Sequence, residues 1–136
     1  MKLCNETVTI FNKRVDSTTG AYMYYPTVIS GVSWFCEIAS VVDGTGIHAA
    51  NRYTIRIPTD ANFRNAKYVD AIAYREADDV DGLFTLAQGD VIVRAAVELN
   101  MSLAQLQSNY AECCTILGVT DNRRAPNAPH FKVVGS

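Results

Sequence analysis

The feature that most constrains the fold is a short stretch of strict alternation between polar and apolar residues. Residues 52–57 read Arg-Tyr-Thr-Ile-Arg-Ile. A repeat of two is the side-chain period of a β-strand that has one face in a core and the other in water. The sequence therefore predicts a strand here, with Tyr53, Ile55 and Ile57 facing the core.

Weaker alternation predicts more strands nearer the start of the chain. Residues 7–12 alternate, with Val8 and Ile10 on one face, and residues 22–40 form a long β-prone stretch interrupted by Pro26 and Gly31. Proline has no N–H to donate to a ladder, so Pro26 predicts a sheet edge or a bulge. The turn-forming stretches that should reverse the chain are residues 16–20 and residues 43–46.

The middle of the chain has no clean period. Residues 59–82 are expected to be loop, with one or two helical turns near residues 70–77. Residues 84–86 and 90–94 are apolar on either side of Gln88-Gly89, a pattern that predicts a hairpin.

The last third of the chain contains a helix signal between strands. Ser102 and Gln105 fit a capping box, which predicts a short helix to about residue 112 with Leu103, Leu106 and Tyr110 on one apolar stripe. After the helix, residues 113–119 are expected to form a strand, residues 120–129 a long polar loop, and residues 130–134 the closing strand. Many short strands with one or two short helices predict a mainly β fold, a small antiparallel barrel or sandwich.

Composition limits the class of protein. A chain of 136 residues with 49% hydrophobic residues fits one domain, residues 1–136, around one core. The net charge of −2 gives no basic excess for binding nucleic acid without sequence preference. The first 13 residues lack the apolar run of a secretory signal, and no window is apolar for long enough to cross a bilayer. We expect a cytosolic product without a membrane role.

Residues that could perform chemistry are scattered. His48 and His130 lack metal-ligand spacing. Asp78, Asp79 and Asp81 form an acidic cluster in which Asp79 and Asp81 match the first two ligand positions of a calcium loop. The fifth and sixth positions of that loop are Leu83 and Phe84 instead of an oxygen ligand and a glycine. The pattern predicts no enzyme, no metal and no cofactor. The spacing of the four cysteines favours buried or half-buried reduced thiols, with Cys113 and Cys114 on opposite faces of a strand.

Aromatic residues are concentrated between residues 22 and 35. They are Tyr22, Tyr24, Tyr25, Trp34 and Phe35. Interleaved with cations, such residues form stacking platforms for single-stranded nucleic acid, but no Lys or Arg lies between Arg14 and Arg52. Packing in a barrel or at a subunit interface is favoured. A free-standing ligand- or single-strand-binding barrel of OB type stays as the alternative.

Three segments carry a resemblance to a known group of proteins. Residues 84–93 (FTLAQGDVIV), 115–124 (TILGVTDNRR) and 129–135 (PHFKVVG) resemble tailed-phage and prophage head-tail connector, head-closure or minor capsid proteins. The resemblance implies a β-barrel subunit in a homo-oligomeric ring, with a portal or adaptor above it and tail proteins below it. It also implies residence in the host bacterial cytoplasm during assembly and then in the virion.

Charge distribution suggests which surfaces such a subunit would use. The predicted subunit interface consists of Asp121, Asn122, Arg123, Arg124, His130 and Lys132. Subunits in a ring meet through different faces, so a basic loop that docks on a neighbour would fix the register. Asp78, Asp79 and Asp81 are hypothesised to face a channel, where negative charge would keep DNA from sticking.

Overall fold

The computed structural model describes residues 5–15, 20–44, 46–77 and 82–136, with residues 38–43 and 46–51 described by their backbone alone. The elements are β1 (Glu6–Val15), β2 (Tyr22–Asp43), β3 (Gly46–Pro58), β4 (Lys67–Tyr68), α1 (Ala71–Glu76), β5 (Leu83–Phe84), β6 (Val91–Val93), α2 (Leu103–Asn109), β7 (Cys113–Asn122) and β8 (His130–Gly135). Six strands close into an antiparallel barrel in the order β1-β2-β3-β8-β7-β6. The predicted mainly β class is confirmed.

The long strand β2 changes partners at a bulge. Glu6 pairs with Val32 but Thr7 pairs with Ser30, so Gly31 is the extra residue on β2. Gly31 has a φ of 87°, a conformation that glycine adopts without a Cβ penalty. From Ser33 onward, β2 pairs with β3 instead of β1. Gly31 was expected to interrupt the strand; it bends the strand around the corner of the barrel instead.

Pro26 lies in the first half of β2, opposite Phe11 of β1 and without a register shift. On its other edge, the part of the chain that the structure describes has isolated bridges from β2, at Tyr24 and Ser30, but no strand ladder. The predicted sheet edge is therefore confirmed, and the alternative of a bulge at the proline is wrong.

Apolar side chains are buried on both sides of the barrel wall. The interior contains Val8, Ile10, Ile55, Ile57 and their neighbours, as the alternating pattern predicted. A second cluster lies outside the wall, beneath α2: Phe11, Tyr24, Val91, Val93, Val97 and Leu106. Because the second cluster covers the outer face of β1, that strand is buried on both faces along residues 8–12.

Both helices begin at side-chain caps. Asp70 accepts a hydrogen bond of 2.8 Å from Ala73 N at the start of α1, and the predicted capping box of Ser102 and Gln105 is present at α2. The helix α2 ends at Asn109, three residues before the predicted end. Its apolar stripe is narrower than expected, since Leu106 is fully buried whereas Leu103 is 37% exposed.

The predicted hairpin across Gln88-Gly89 is wrong, although the turn itself is present. Gly89 has a φ of 94°, but Phe84 belongs to β5, which pairs in parallel with β4. The strand β6 pairs instead with β1 and β7. The reason is local: both backbone polar groups of Thr85 bond to the side chain of Asn12, at 2.6 and 3.2 Å, so they are not available to a neighbouring strand.

The closing strands follow the prediction more closely. The strand β7 extends three residues past the predicted end, to Asn122, and β8 spans His130–Gly135. Cys113 packs against the outer cluster and Cys114 lies in the barrel interior, as the alternation required. Cys36, Cys113 and Cys114 are free thiols, and the predicted burial is wrong for Cys36, which is exposed. Cys4 lies outside the described residues.

Candidate functional site

The predicted interface residues lie together at one end of the β7-β8 pair. Asp121 is opposite Phe131 and Asn122 is opposite His130 in the ladder. The side chains of Asn122 and His130 are 3.4 Å apart. Lys132 is one step further along, opposite Thr120.

Arg123 is held within the molecule. Its Nε and Nη2 donate to the Asp121 carboxylate at 3.0 and 2.8 Å. The hydrogen bonds from Arg123 lower the pKa of Asp121 to about 2. The guanidinium also lies 5.1 Å from the ring centre of Tyr68 and 4.9 Å from that of Phe131. Arg124 lines a depression of about 430 Å³ with Asp121 and Arg123. Its side chain is exposed and makes no hydrogen bond or ion pair among the described residues, so it is available for an external contact.

Below Arg123 lies an aromatic cluster that the sequence did not predict. Phe63 stacks on Phe84 with ring centres 5.5 Å apart, and Tyr68 contacts both Phe84 and Phe131. Phe63 and Tyr68 come from residues 59–82, expected to be mainly loop. They pack against the barrel interior, but no period marks them as core, because Phe63 lies outside the regular elements and β4, which contains Tyr68, is only two residues long.

The aromatic stretch of β2 divides between buried and exposed positions. Tyr24 is buried in the outer cluster, and Trp34 packs on Tyr53 with ring centres 5.2 Å apart. Tyr22 and Phe35 are more than half exposed. The ammonium group of Lys13 lies 4.2 Å from the ring centre of Tyr22. A neighbouring strand thus supplies a cation that is absent from the β2 sequence itself.

The second halves of the barrel's long strands form a two-stranded ribbon. Residues 37–43 of β2 and 46–52 of β3 pair from Glu37-Arg52 to Asp43-Gly46, a length of about 23 Å at strand spacing. Pairing of β3 with β8 begins only at Tyr53, and pairing of β2 with β1 ends at Val32. Within the described ranges, the ribbon has no ladder partner on either edge. We call residues 37–43 and 46–52 the ribbon.

Some sequence predictions fall outside what the structure describes. Asp78, Asp79 and Asp81, the hypothesised channel face, are in that group, as are residues 16–19 of the first turn. His48 is described by its backbone alone. Among the described side chains, no three His, Cys, Asp or Glu residues are grouped to hold a metal ion. No helix among the described residues has the length and hydropathy to span a membrane.

By its fold, the chain is a six-stranded antiparallel β-barrel in which two long strands continue as a two-stranded ribbon. The chain belongs to the family of unknown function DUF6751, whose profile matches residues 3–136. No curated protein and no solved structure matches the chain.

Proposed function

We propose that this chain is a non-enzymatic assembly subunit whose ribbon pairs with a neighbouring copy, in the manner of a phage or prophage head-tail connector ring. The ribbon is the observation that carries the proposal. An isolated two-stranded ribbon is marginally stable in water and gains stability when further strands or packed surface cover it.

The sequence of the ribbon supports self-association. Proteins usually protect exposed strand edges with charges, above all lysine. Residues 38–51 contain a single Asp, Glu, Lys or Arg, which is Asp43. The ribbon therefore offers two open edges with little charge to oppose another strand.

The β7-β8 end supplies a second surface of different character. His130 and Lys132 lie there on the ladder between β7 and β8, and Arg124 follows the end of β7. A ribbon on one side and a charged end on another suit a ring, in which unlike faces of neighbouring subunits meet. The resemblance to connector proteins adds a portal or adaptor above the ring and tail proteins below it as the proposed partners.

A ribbon deletion tests self-association. Replacing residues 39–50 with Asn-Gly keeps the Ile38-Asn51 pair and closes it with a two-residue turn. The full chain is expected to form oligomers at high micromolar concentration in sedimentation velocity, and the deletion variant to be monomeric with barrel melting retained. A matched point variant, Val41→Lys, should weaken association, whereas Leu117→Lys on the exposed barrel surface should not.

A full chain that stays monomeric up to millimolar concentration would overturn the pairing of copies through the ribbon. The genes beside the coding gene test the connector role separately. A portal gene and a major capsid gene next to it would support that role, and a setting without phage structural genes would contradict it.

A further inference from the structure

A cleft lined by both charged and apolar side chains opens between β1, β2 and α1. It has a volume of about 450 Å³, and its lining includes Lys13, Arg14, Tyr22, Tyr74, Arg75 and Thr85. That volume is in the range of about 300–1,000 Å³ usual for small-molecule sites. The end of β1, the start of β2, the helix α1 and the segment before β6 form its walls.

Among the residues that the structure describes, three cations line the cleft. The ammonium group of Lys13 lies over the Tyr22 ring, and Arg14 donates a hydrogen bond to the carbonyl of Ala77, which orients its guanidinium. Arg75 is in the last turn of α1 and its side chain is exposed. Within the described lining, the carboxylate belongs to Asp90.

The Asp90 carboxylate is already bonded inside the protein. Its Oδ1 accepts from Lys13 N at 3.0 Å and its Oδ2 from Asn12 Nδ2 at 2.9 Å. These donors satisfy the hydrogen bonding of the carboxylate but leave its negative charge in place, and Lys13 also attracts that charge. The described lining then has three cations against one carboxylate, which is an excess of positive charge. The lining therefore retains a positive character toward a ligand.

Thr85 contributes a hydroxyl without a partner. The residue is 3% exposed, and its Oγ1 is buried with no hydrogen-bond partner among the described residues. Buried hydroxyls are nearly always hydrogen-bonded, so an unpaired one beside a cleft marks a position where a ligand atom would be bound.

We propose that this cleft binds an oxyanion, either a carboxylate or a phosphate group of a ligand, with the Thr85 hydroxyl donating to it and Lys13 and Arg75 neutralising its charge. Oxyanions accept charge-assisted hydrogen bonds from hydroxyl, ammonium and guanidinium donors. This site is separate from the ribbon and does not depend on assembly.

Titration of the full chain with two probes, followed by amide NMR at constant ionic strength, tests the proposal. One probe is inorganic phosphate and the other is glutarate. Saturable shifts centred on Thr85, Lys13 and Asp90 are expected with at least one of them. A response to phosphate alone or to glutarate alone identifies which oxyanion the cleft prefers, and no saturable response to either would overturn the proposal.

Variants separate a binding role from a structural one. Thr85→Val removes the hydroxyl and preserves the shape, and should weaken binding by about tenfold, the loss of one charge-assisted hydrogen bond. Arg75→Gln should weaken it comparably, whereas Arg52→Gln, an exposed arginine at the base of the ribbon, should leave it unchanged. Unaltered affinity in Thr85→Val would refute the assignment of the hydroxyl.

The melting temperature of Thr85→Val without ligand supplies a second readout. An unpaired buried hydroxyl contributes nothing to folding, so its replacement by a methyl group should keep or raise the melting temperature. A hydroxyl with a structural role would give a lower melting temperature. That result would mean that Thr85 has an internal partner and would overturn its role as a ligand donor.

Discussion

The side-chain amide of Asn12 donates a hydrogen bond of 2.9 Å to Oδ2 of Asp90, a residue 78 positions away in the sequence. Both residues are at most 4% exposed. The same amide group of Asn12 also binds Thr85, so one side chain on β1 holds two points of the segment that leads into β6. This network fixes β6 beside β1, which is the contact that closes the barrel.

Asp90 should make folding stability depend on pH. Burial raises the pKa of its carboxyl above the ordinary value of 3.8. The folded state therefore keeps the proton to a higher pH than the unfolded state does, and stability is lost as the pH rises through the folded pKa. Relative to Asp90→Asn, the wild type should lose unfolding free energy as the pH rises from about 3.5 to about 7.

Urea unfolding of the two proteins across that range measures the effect. In Asp90→Asn, the side-chain oxygen can still accept the hydrogen bond from Lys13 N. The new amide group faces the amide of Asn12, but any repulsion between these two donors does not change with pH. The slope of the difference therefore reports the Asp90 carboxyl. Parallel stability curves would show that the carboxyl titrates alike in both states.

The sequence predicted those parts of the fold in which each residue's role follows from its near neighbours. The alternation of residues 52–57 placed Tyr53, Ile55 and Ile57 in the core, where the structure has them. The Ser102-Gln105 capping box was found in the same way. In contrast, the hairpin across Gln88-Gly89 was predicted wrongly because Asn12, far away in sequence, binds the backbone of Thr85.

In the candidate sites too, features set by neighbouring strands were predicted and features set by residues distant in sequence were not. The β7-β8 pairing that gathers Asp121, Asn122 and His130 followed from two adjacent strands. Engagement of Arg123 by Tyr68 could not be predicted, since Tyr68 comes from a segment without a period. The cleft around Thr85 was missed for a similar reason: its walls come from four separate parts of the chain.

We expect stability to depend on glycine at position 135, where β8 packs closely against β7. A Cβ at this position would lie 2.7 Å from the carbonyl oxygen of Thr115 and 3.0 Å from Sγ of Cys114. Because the first of these is backbone in a paired strand, Gly135→Ala should lower the free energy of unfolding by about 1–3 kcal/mol. Gly118→Ala on β7 is the matched control, since a Cβ there meets nothing within 4 Å. Equal stability of the two variants in chemical denaturation would contradict the prediction.

Arg123 and Arg124 should differ in their effect on folding. Arg123→Glu removes the hydrogen bonds to Asp121, sets two carboxylates side by side, and removes the cation from Tyr68 and Phe131. We expect its melting temperature to fall by a few degrees, and that of Arg124→Glu to stay near the wild-type value. Thermal unfolding followed by circular dichroism compares them. Arg124→Glu is therefore the cleaner probe of the proposed interface, and a larger loss in Arg124→Glu would reverse that assignment.

The cysteines should react with alkylating reagent in the order of their exposure. Cys36 is exposed, burial raises the pKa of Cys113, and burial raises the pKa of Cys114 to about 12. Because the thiolate is the nucleophile, iodoacetamide at mildly alkaline pH should modify Cys36 first and Cys114 at least about a hundredfold more slowly. Mass spectrometry with fragmentation between Cys113 and Cys114 measures each rate, and denatured protein, in which the rates should converge, is the control. Fast alkylation of Cys114 in the folded protein would mean that the barrel interior opens at that strand.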